Sequence, residues 1–457
     1  MIVKKIFEKI IPKPVFLIYH WFLAYLAGFI YGWPSKKMIV IGVTGTSGKS
    51  TVVNLIGKVL EQAGFKVGIA TTFNFRIAGQ ETVNKTRMTM LGRFALQKLL
   101  KKMFLSGCRY AVIETSSQGI VQSRHLGINY DVGVFTGLSF EHLEAHGGFE
   151  KYREAKQKLF QHLSGSGRKK IEGRIIDKVI IVNADDENSS YFLDFRVDKK
   201  YGYTIKNLES EFSVCRQAKG ELKQDKDFKI KFVKADNIQL GPNGSDFTVK
   251  GIKFKINLLG EFNVANALAA IGVASSQGVD LNVCRDALSR VGEMPGRMEI
   301  VVKNPFMVIV DYAHTPDHLE KVYQTLKKFS ESKLICVLGA TGGGRDKWKR
   351  PVLGKIAMKY GDYVIITNED PYDENPEEII DQVITGIEDN SEMIFQKRLF
   401  KIVDRGQAIK KALSLAKAGD AVIITGKGAE QCIMIAGGKR VFWDDREAAR
   451  KELKNFV

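Results

Sequence analysis

Cysteine is scarce and scattered in this chain. Its five thiols, Cys108, Cys215, Cys284, Cys336 and Cys432, lie far apart and form no C-x-x-C pair. That argues against a zinc ribbon or a disulfide framework and suits a reducing cytosol. No arginine-rich run interleaves with aromatics, so no nucleic-acid partner is expected. Internal repeats and low-complexity tracts are also missing, which argues against solenoids and fibres. Carboxylates are in deficit: 51 Asp and Glu stand against 69 Lys and Arg, a net charge of +18. Such an excess attracts nucleotides, acidic metabolites or acidic lipid, or serves only as a solubilising surface. What is present is a 44% hydrophobic chain of 457 residues, enough for two or three domains at roughly 100–200 residues each.

Residues 15–33 (VFLIYHWFLAYLAGFIYGW) are an exception in an otherwise ordinary composition, with His20 the only strongly polar side chain. Lys4, Lys5, Lys9 and Lys13 precede this run, and Lys36 and Lys37 follow it. It carries no small-residue cleavage site, so a cleaved signal peptide is not expected. A helix packed on the protein's own surface, a membrane-surface anchor and a single span all fit the pattern. Localisation is therefore expected to be cytoplasmic, with contact at the inner membrane face through residues 15–33 as one option.

The rest alternates apolar runs with helical stretches. Residues 37–43 read as a buried strand entering a glycine-rich loop, and 51–63 as the helix behind it. Apolar runs at 110–113, 132–135 and 179–182 alternate with helical patterns at 93–103 and 152–162. This rhythm predicts a mostly parallel sheet covered on both faces. Residues 201–256 alternate polar and apolar with turn residues at 241–244, which predicts an antiparallel flap. A helix is expected at 263–277. After Met294-Pro295-Gly296 the strand–helix rhythm restarts at 307–310, 334–338, 363–367 and 421–425. The expected class is α/β: an apolar segment over 1–37, a central P-loop ATPase domain over 38–300 and a Rossmann-like C-terminal domain over 301–457.

Chemistry concentrates where these strands end. Gly45-Thr46-Ser47-Gly48-Lys49-Ser50-Thr51 is a phosphate loop that departs from G-x-x-x-x-G-K-[ST] only in having Val43 at the first glycine. Its glycines let backbone N–H groups close on phosphate oxygens, Lys49 supplies a point charge and the Ser50 hydroxyl can reach Mg²⁺. Glu114 follows the second strand and Glu141-His142 the third. Carboxylates at strand C-termini beside a phosphate loop are placed for a divalent cation, though acidic residues commonly end strands without one. Lys156, one lysine on a basic helix, reads on pattern alone as solvated. Three further loops follow strands of the second half: 311–317 (DYAHTPD), 342–347 (GGGRDK) and 426–430 (GKGAE). Two such edges imply two facing crevices and a site between domains.

In this order, GVTGTSGKST (42–51), IETSSQG (113–119), FTGLSFEHLEAHG (135–147), YREAKQKLF (152–160), NADDEN (183–188), GEFNVANALAAIG (260–272), MPGRMEIV (294–301), VDYAHTPD (310–317), GATGGGRDKWKRP (339–351), GKGAEQ (426–431) and WDDREAAR (443–450) resemble the Mur ligases. The nearest type is the one that adds the third amino acid of the peptidoglycan stem peptide. The resemblance implies ATP-dependent amide-bond formation through an acyl phosphate, with an amino acid and a carboxylate-bearing peptide precursor as small-molecule partners. It implies that Ser50 and Glu114 hold one Mg²⁺, and that Glu114, His142 and a carbamylated Lys156 serve a second. Asn266 would meet adenine, and Arg297 and Asp311 the phosphates and ribose. Thr89, Ser116 and Arg124 would hold the peptide substrate. Arg345, Asp370, Tyr372, Gly426 and Glu430 would surround the incoming amino acid.

Departures from the family pattern are Ser47 and Gly137 in place of asparagine, and Gln118 and Ala429 in place of histidine. About forty residues precede the phosphate loop, where the family's UDP-sugar-binding domain normally stands. The loop that reads Asp-Asn-Pro-Arg in diaminopimelate-adding relatives is Glu369-Asp370-Pro371-Tyr372 here. Loss of the arginine and gain of a carboxylate predict a cationic amino acid such as lysine. Folylpolyglutamate synthetase, of the same superfamily, is the enzymatic rival, and the 444–448 string and the GGGRDKWKRP loop count against it. A nucleotide-binding homologue without catalysis is the non-enzymatic rival. The amidotransferase-associated Mur-like subunits carry a four-cysteine insert that this chain lacks.

Overall fold

The computed structural model describes residues 13–86, 88–141, 143–206, 230–329, 332–387 and 397–454. Two parallel-dominated sheets organise them. The first has nine strands in the order Lys231–Lys234, Lys199–Thr204, Val179–Asn183, Val132–Phe135, Ile39–Thr44, Tyr110–Glu114, Val67–Ala70, Asn74–Ile77 and Gln80–Val83. The first seven run parallel, and the last two form an antiparallel hairpin at the edge. Ile39–Thr44 sits near the middle and is buried at all six positions, as expected of a strand with helices on both faces. Helices Lys49–Gln62 and Glu261–Ser276 share one apolar core with it, while Arg93–Leu105 and Phe149–Gly165 close the other face.

The second sheet runs Glu299–Val302, Met307–Asp311, Ala421–Thr425, Leu334–Leu338, Tyr363–Ile366 and Leu399–Lys401, parallel except for its first strand. A three-stranded antiparallel sheet, Asp236–Gly241, Gly244–Val249 and Ile252–Ile256, lies between the two in sequence.

The flap expected over 201–256 is therefore only partly antiparallel. Lys199–Thr204 and Lys231–Lys234 extend the central sheet in parallel. These are its outermost strands on that side, and the last has a single buried residue, Val233. Half-exposure gives an edge strand the alternating pattern usually associated with antiparallel sheets. Residues 207–229 lie outside the described part of the chain.

The apolar N-terminal run forms helix Lys13–Ile30. His20, Ala24 and Ala27 face inward. A Cβ on Gly127 would stand 2.6 Å from the Ala24 carbonyl oxygen, so glycine there permits close approach of the helix. No described helix is long and apolar enough to cross a membrane, which removes the single-span option for the described residues.

Beneath the central sheet, the fully buried Asp131 carboxylate accepts from the Val40 N–H at 2.9 Å and pairs with Lys169 and Lys178. Burial pulls Lys169 down to about 8, against the upward pull of Asp131. Asp131→Ala would strand two buried ammonium groups, at a cost of about 3–5 kcal/mol. The expected result is a lower urea midpoint, and an unchanged midpoint would refute it.

Candidate active site between the two sheets

The C-terminal edges of both parallel sheets meet across a crevice. On the first edge, strand Ile39–Thr44 runs into the phosphate loop and helix Lys49–Gln62. Gly45 and Gly48 have φ of 153° and 82°. A Cβ would meet Thr136 Oγ1 at 2.0 Å from Gly45 and Asn266 Oδ1 at 2.5 Å from Gly48. Glycine is thus required at both positions by contact and, at Gly48, by a left-handed backbone. Lys49 Nζ donates to the Thr46 carbonyl at 2.6 Å. Burial lowers its pKa, with Glu114 and Glu141 pulling upward.

Glu114 ends the neighbouring strand in register with Val43 and is 2% exposed. Its Oε2 accepts from Ser50 Oγ at 2.7 Å, Thr72 N at 2.9 Å and Thr72 Oγ1 at 3.1 Å. Thr72 follows strand Val67–Ala70, and its hydroxyl oxygen lies 3.1 Å from Thr89 Oγ1, placed to accept from it. Sequence reasoning missed Thr72, although the strand-end rule that selected Glu114 applies to it equally.

Lys156, expected on pattern to be solvated, is buried. Its Nζ donates to the Gly45 carbonyl at 2.7 Å, behind the phosphate loop. Burial, and then the Lys49 charge, push its pKa well below the ordinary lysine value. Tyr152, one turn earlier, places its hydroxyl 3.1 Å from Thr46 Oγ1. His142 lies outside the described residues. Among those described, no three His, Cys, Asp or Glu side chains converge as a ready metal site.

The second edge contributes Asp311, Arg297, the 312–315 loop and the first turn of helix Pro316–Phe329. Asp311 accepts from Met298 N at 2.7 Å and Ala313 N at 2.6 Å, and His318 Nε2 lies 3.5 Å from it. Burial pulls His318 down to about 4, so the ring is neutral at pH 7. The Arg297 guanidinium lies against the rings of Phe73 and Tyr312, 4.9 and 4.7 Å from their centroids, and the two rings meet edge to face. Its Nε is buried with no hydrogen-bond partner among the described residues. A cavity of about 370 Å³ joins Ser47, Gly48, Thr51, Asn266, Arg297, Asp311 and His318. Asn266 therefore stands at the phosphate-loop end of that cavity. A nucleotide fits this set: glycine-lined amides, a cation short of a partner and a carboxylate.

A second cavity, of about 710 Å³, lies on the other side of Arg297 and reaches Ser50, Thr72, Phe73, Glu430 and Arg446. Thr89, Ser116 and Arg124 do not line it. Ser116 caps the short helix Ser117–Val121, accepting from Gly119 N. Arg124 donates to the Met90 carbonyl and, at 3.1 Å, to Gln122 Oε1.

The remaining expected residues cluster around Lys427. This fully buried ammonium donates to Asp370 at 2.7 Å and Glu430 at 2.6 Å. Glu430 also accepts from Tyr312 at 3.2 Å. Gly426 has φ of 104°, and a Cβ there would stand 2.5 Å from Glu369 Oε2. Tyr372 (φ 53°) bonds Met434 through its backbone, and its side chain is a partner of Arg345. Asp370 is thus already partnered by a lysine from the distant 426–431 string.

Hydrogen bonds also join the two edges. Glu141 Oε1 lies 3.1 Å from His314 Nε2. Asp346 accepts from Leu143 N at 3.3 Å and Glu144 N at 3.0 Å. Lys347 N donates to Glu144 at 3.1 Å.

Fold and site together define a nucleotide-dependent enzyme that works between a phosphate-loop domain and a second α/β unit. Residues 43–274 match the family described as the Mur ligase middle domain, and residues 296–428 the Mur ligase glutamate ligase domain. The chain is 36% identical over 441 residues to UDP-N-acetylmuramoyl-L-alanyl-D-glutamate–2,6-diaminopimelate ligase of Clostridium tetani, covering 95% of this chain and 81% of that one. It is 36% identical over 440 residues to UDP-N-acetylmuramyl-tripeptide synthetase of a Roseiflexus species, with 94% and 81% covered. A solved structure of a diaminopimelate ligase of the first kind superposes with a TM-score of 0.60 at 28% identity, covering 95% of this chain and 83% of that one. Mycobacterium tuberculosis folylpolyglutamate synthase shares the fold at a TM-score of 0.66 and 16% identity, with 89% and 92% covered. The chain belongs to the Mur ligase family and is an ATP-dependent ligase that forms carbon–nitrogen bonds.

Proposed function

We propose that this enzyme joins a cationic amino acid, lysine before diaminopimelate, to the carboxylate of a peptidoglycan-precursor peptide. The observation that carries the catalytic reading is the bonding of buried Ser50 and half-buried Thr72 to buried Glu114 beside Lys49, with Lys156 behind the loop. Ser50 and Glu114 would hold Mg²⁺, which neutralises charge on the nucleotide phosphates when bound. Lys49 and Arg297 bring cations to the same phosphates, and Thr51, Asn266 and Asp311 shape the pocket for the rest of the nucleotide. An acceptor carboxylate oxygen attacks the terminal phosphorus and ADP leaves. The amine nitrogen then attacks the acyl carbon and phosphate leaves, giving the amide.

Lys156 acts as a carbamate in this reading, and with Glu114 and His142 it would serve a second Mg²⁺. An amine forced toward its neutral form by burial is the form that adds CO₂, and the product offers oxygens where a cation needs them. Thr89, Ser116 and Arg124 hold the acceptor peptide. The 710 Å³ cavity, bounded by Ser50 on one side and Glu430 on the other, holds the reacting ends. The functional units are 38–300 and 301–457. Residues 1–37 form a separate segment that meets the inner membrane face.

Glu369, Asp370 and Glu430 gather around Lys427, with Arg345 beside Tyr372. Asp370 and Glu430 are bonded to Lys427, whereas Glu369 Oε2 is buried with no hydrogen-bond partner among the described residues, an acceptor that suits a cationic side chain. In a competition ligation with phosphate release as readout, lysine is expected to be taken over meso-diaminopimelate by about tenfold or more. Preferential use of diaminopimelate would overturn the specificity assignment.

A further inference from the structure

Building on the membrane contact proposed above, we infer that helices Lys13–Ile30 and Arg93–Leu105 form one platform that docks flat on an anionic lipid bilayer. The two helices pack against each other. The first turns His20, Ala24 and Ala27 to the protein and leaves Ile18, Trp21, Phe22, Phe29 and Ile30 exposed, Phe29 by 74%. A helix facing water carries charged residues on its outer side. This one has no Asp, Glu, Lys or Arg between Lys13 and Lys36. The second helix adds Leu105, 70% exposed.

Charge selects the occupant. Residues 82–113 hold seven lysines and arginines and no carboxylate, and residues 9–60 hold no carboxylate either. Lys98 and Lys102 are exposed on the second helix, as are Lys36 and Lys37 after the first. Where the two segments meet, Lys37 and Lys101 lie 5.1 and 5.9 Å from the Phe104 ring. An apolar face rimmed by lysines matches acyl chains beneath anionic headgroups. A second copy of the chain would bring the same positive rim against itself. Among the described residues no helix is long and apolar enough to cross a membrane. One side of the helix is also taken up by protein.

The platform lies over the acceptor side of the enzyme. Arg93 donates to the Gln122 carbonyl and Arg124 to the Gln122 side chain, while Tyr19 is within electrostatic reach of Arg93. Docking therefore presents the Arg124 region toward the bilayer, where a lipid-attached acceptor would be delivered.

The test uses the full-length chain, phosphatidylcholine vesicles with and without phosphatidylglycerol, and co-sedimentation with Trp fluorescence. The parent should bind only the anionic vesicles, and less at high salt. Trp21→Gln/Phe22→Gln/Phe29→Gln and Lys98→Glu/Lys102→Glu should each weaken partitioning by about tenfold or more, with phosphate release in solution unchanged. No binding by the parent overturns the platform, as does equal binding by the variants. So does a parent dimer that ignores vesicles and becomes monomeric in the triple variant. In each of those cases intact phosphate release leaves the ligase reading standing. Vesicle binding without ligation by the parent would overturn the ligase reading instead.

Discussion

Glu114→Ala and Lys49→Ala each lower ATP-dependent phosphate release by about a thousandfold or more, in protein that remains folded. Glu114 is the shared acceptor of Ser50 and Thr72, so its loss removes a carboxylate from the metal position and unties the loop hydroxyl. Three donors lose their acceptor, at a stability cost of about 1–3 kcal/mol, which a multidomain core of this size survives. Glu114→Gln keeps an acceptor oxygen and should restore stability without restoring turnover. Lys49→Ala removes the cation bonded to Thr46 O at the mouth of the loop. Steady-state phosphate release beside thermal unfolding separates catalysis from folding. Near-normal turnover in either alanine variant would sink the assignment.

Lys156→Ala is expected to lose activity by about a hundredfold or more, and millimolar formate or acetate should restore part of it. The amine sits in a dry pocket against Gly45 O, where the ammonium is disfavoured. A small carboxylate can enter the space left by alanine and supply the missing oxygens. Lys156→Met fills that space and should show no rescue. Full activity of Lys156→Ala without added carboxylate would reduce the lysine to a packing residue.

The strand ends were legible because apolar runs ending in glycine and polar residues mark the C-terminal edge of a parallel sheet. Gly45–Ser50, Glu114 and Asp311 all lie on such edges as expected. Helix extents were legible to within a few residues: 93–103 became Arg93–Leu105, and 152–162 became Phe149–Gly165. What sequence could not carry is contact between distant strings. The burial of Lys156, the Phe73–Arg297–Tyr312 cluster and the Lys427 partnership with Asp370 depend on how the elements pack. No local pattern encodes that. Asp370 reads in sequence as an uncompensated acid, and only packing reveals its lysine. The outer strands of the central sheet misled for a related reason: exposure on one face imitates the alternation of an antiparallel ribbon.

Helix Leu143–His146 is four residues long, too short to hold itself together in water. Its first amides are bonded by Asp346, a residue of the opposite half, and Glu141 just before it is pinned to His314. The ordering of this edge is therefore conditional on the C-terminal half being closed over it. The two halves are thus coupled at the phosphate-side edge, where residues of the C-terminal half complete the hydrogen bonding of a helix that belongs to the first.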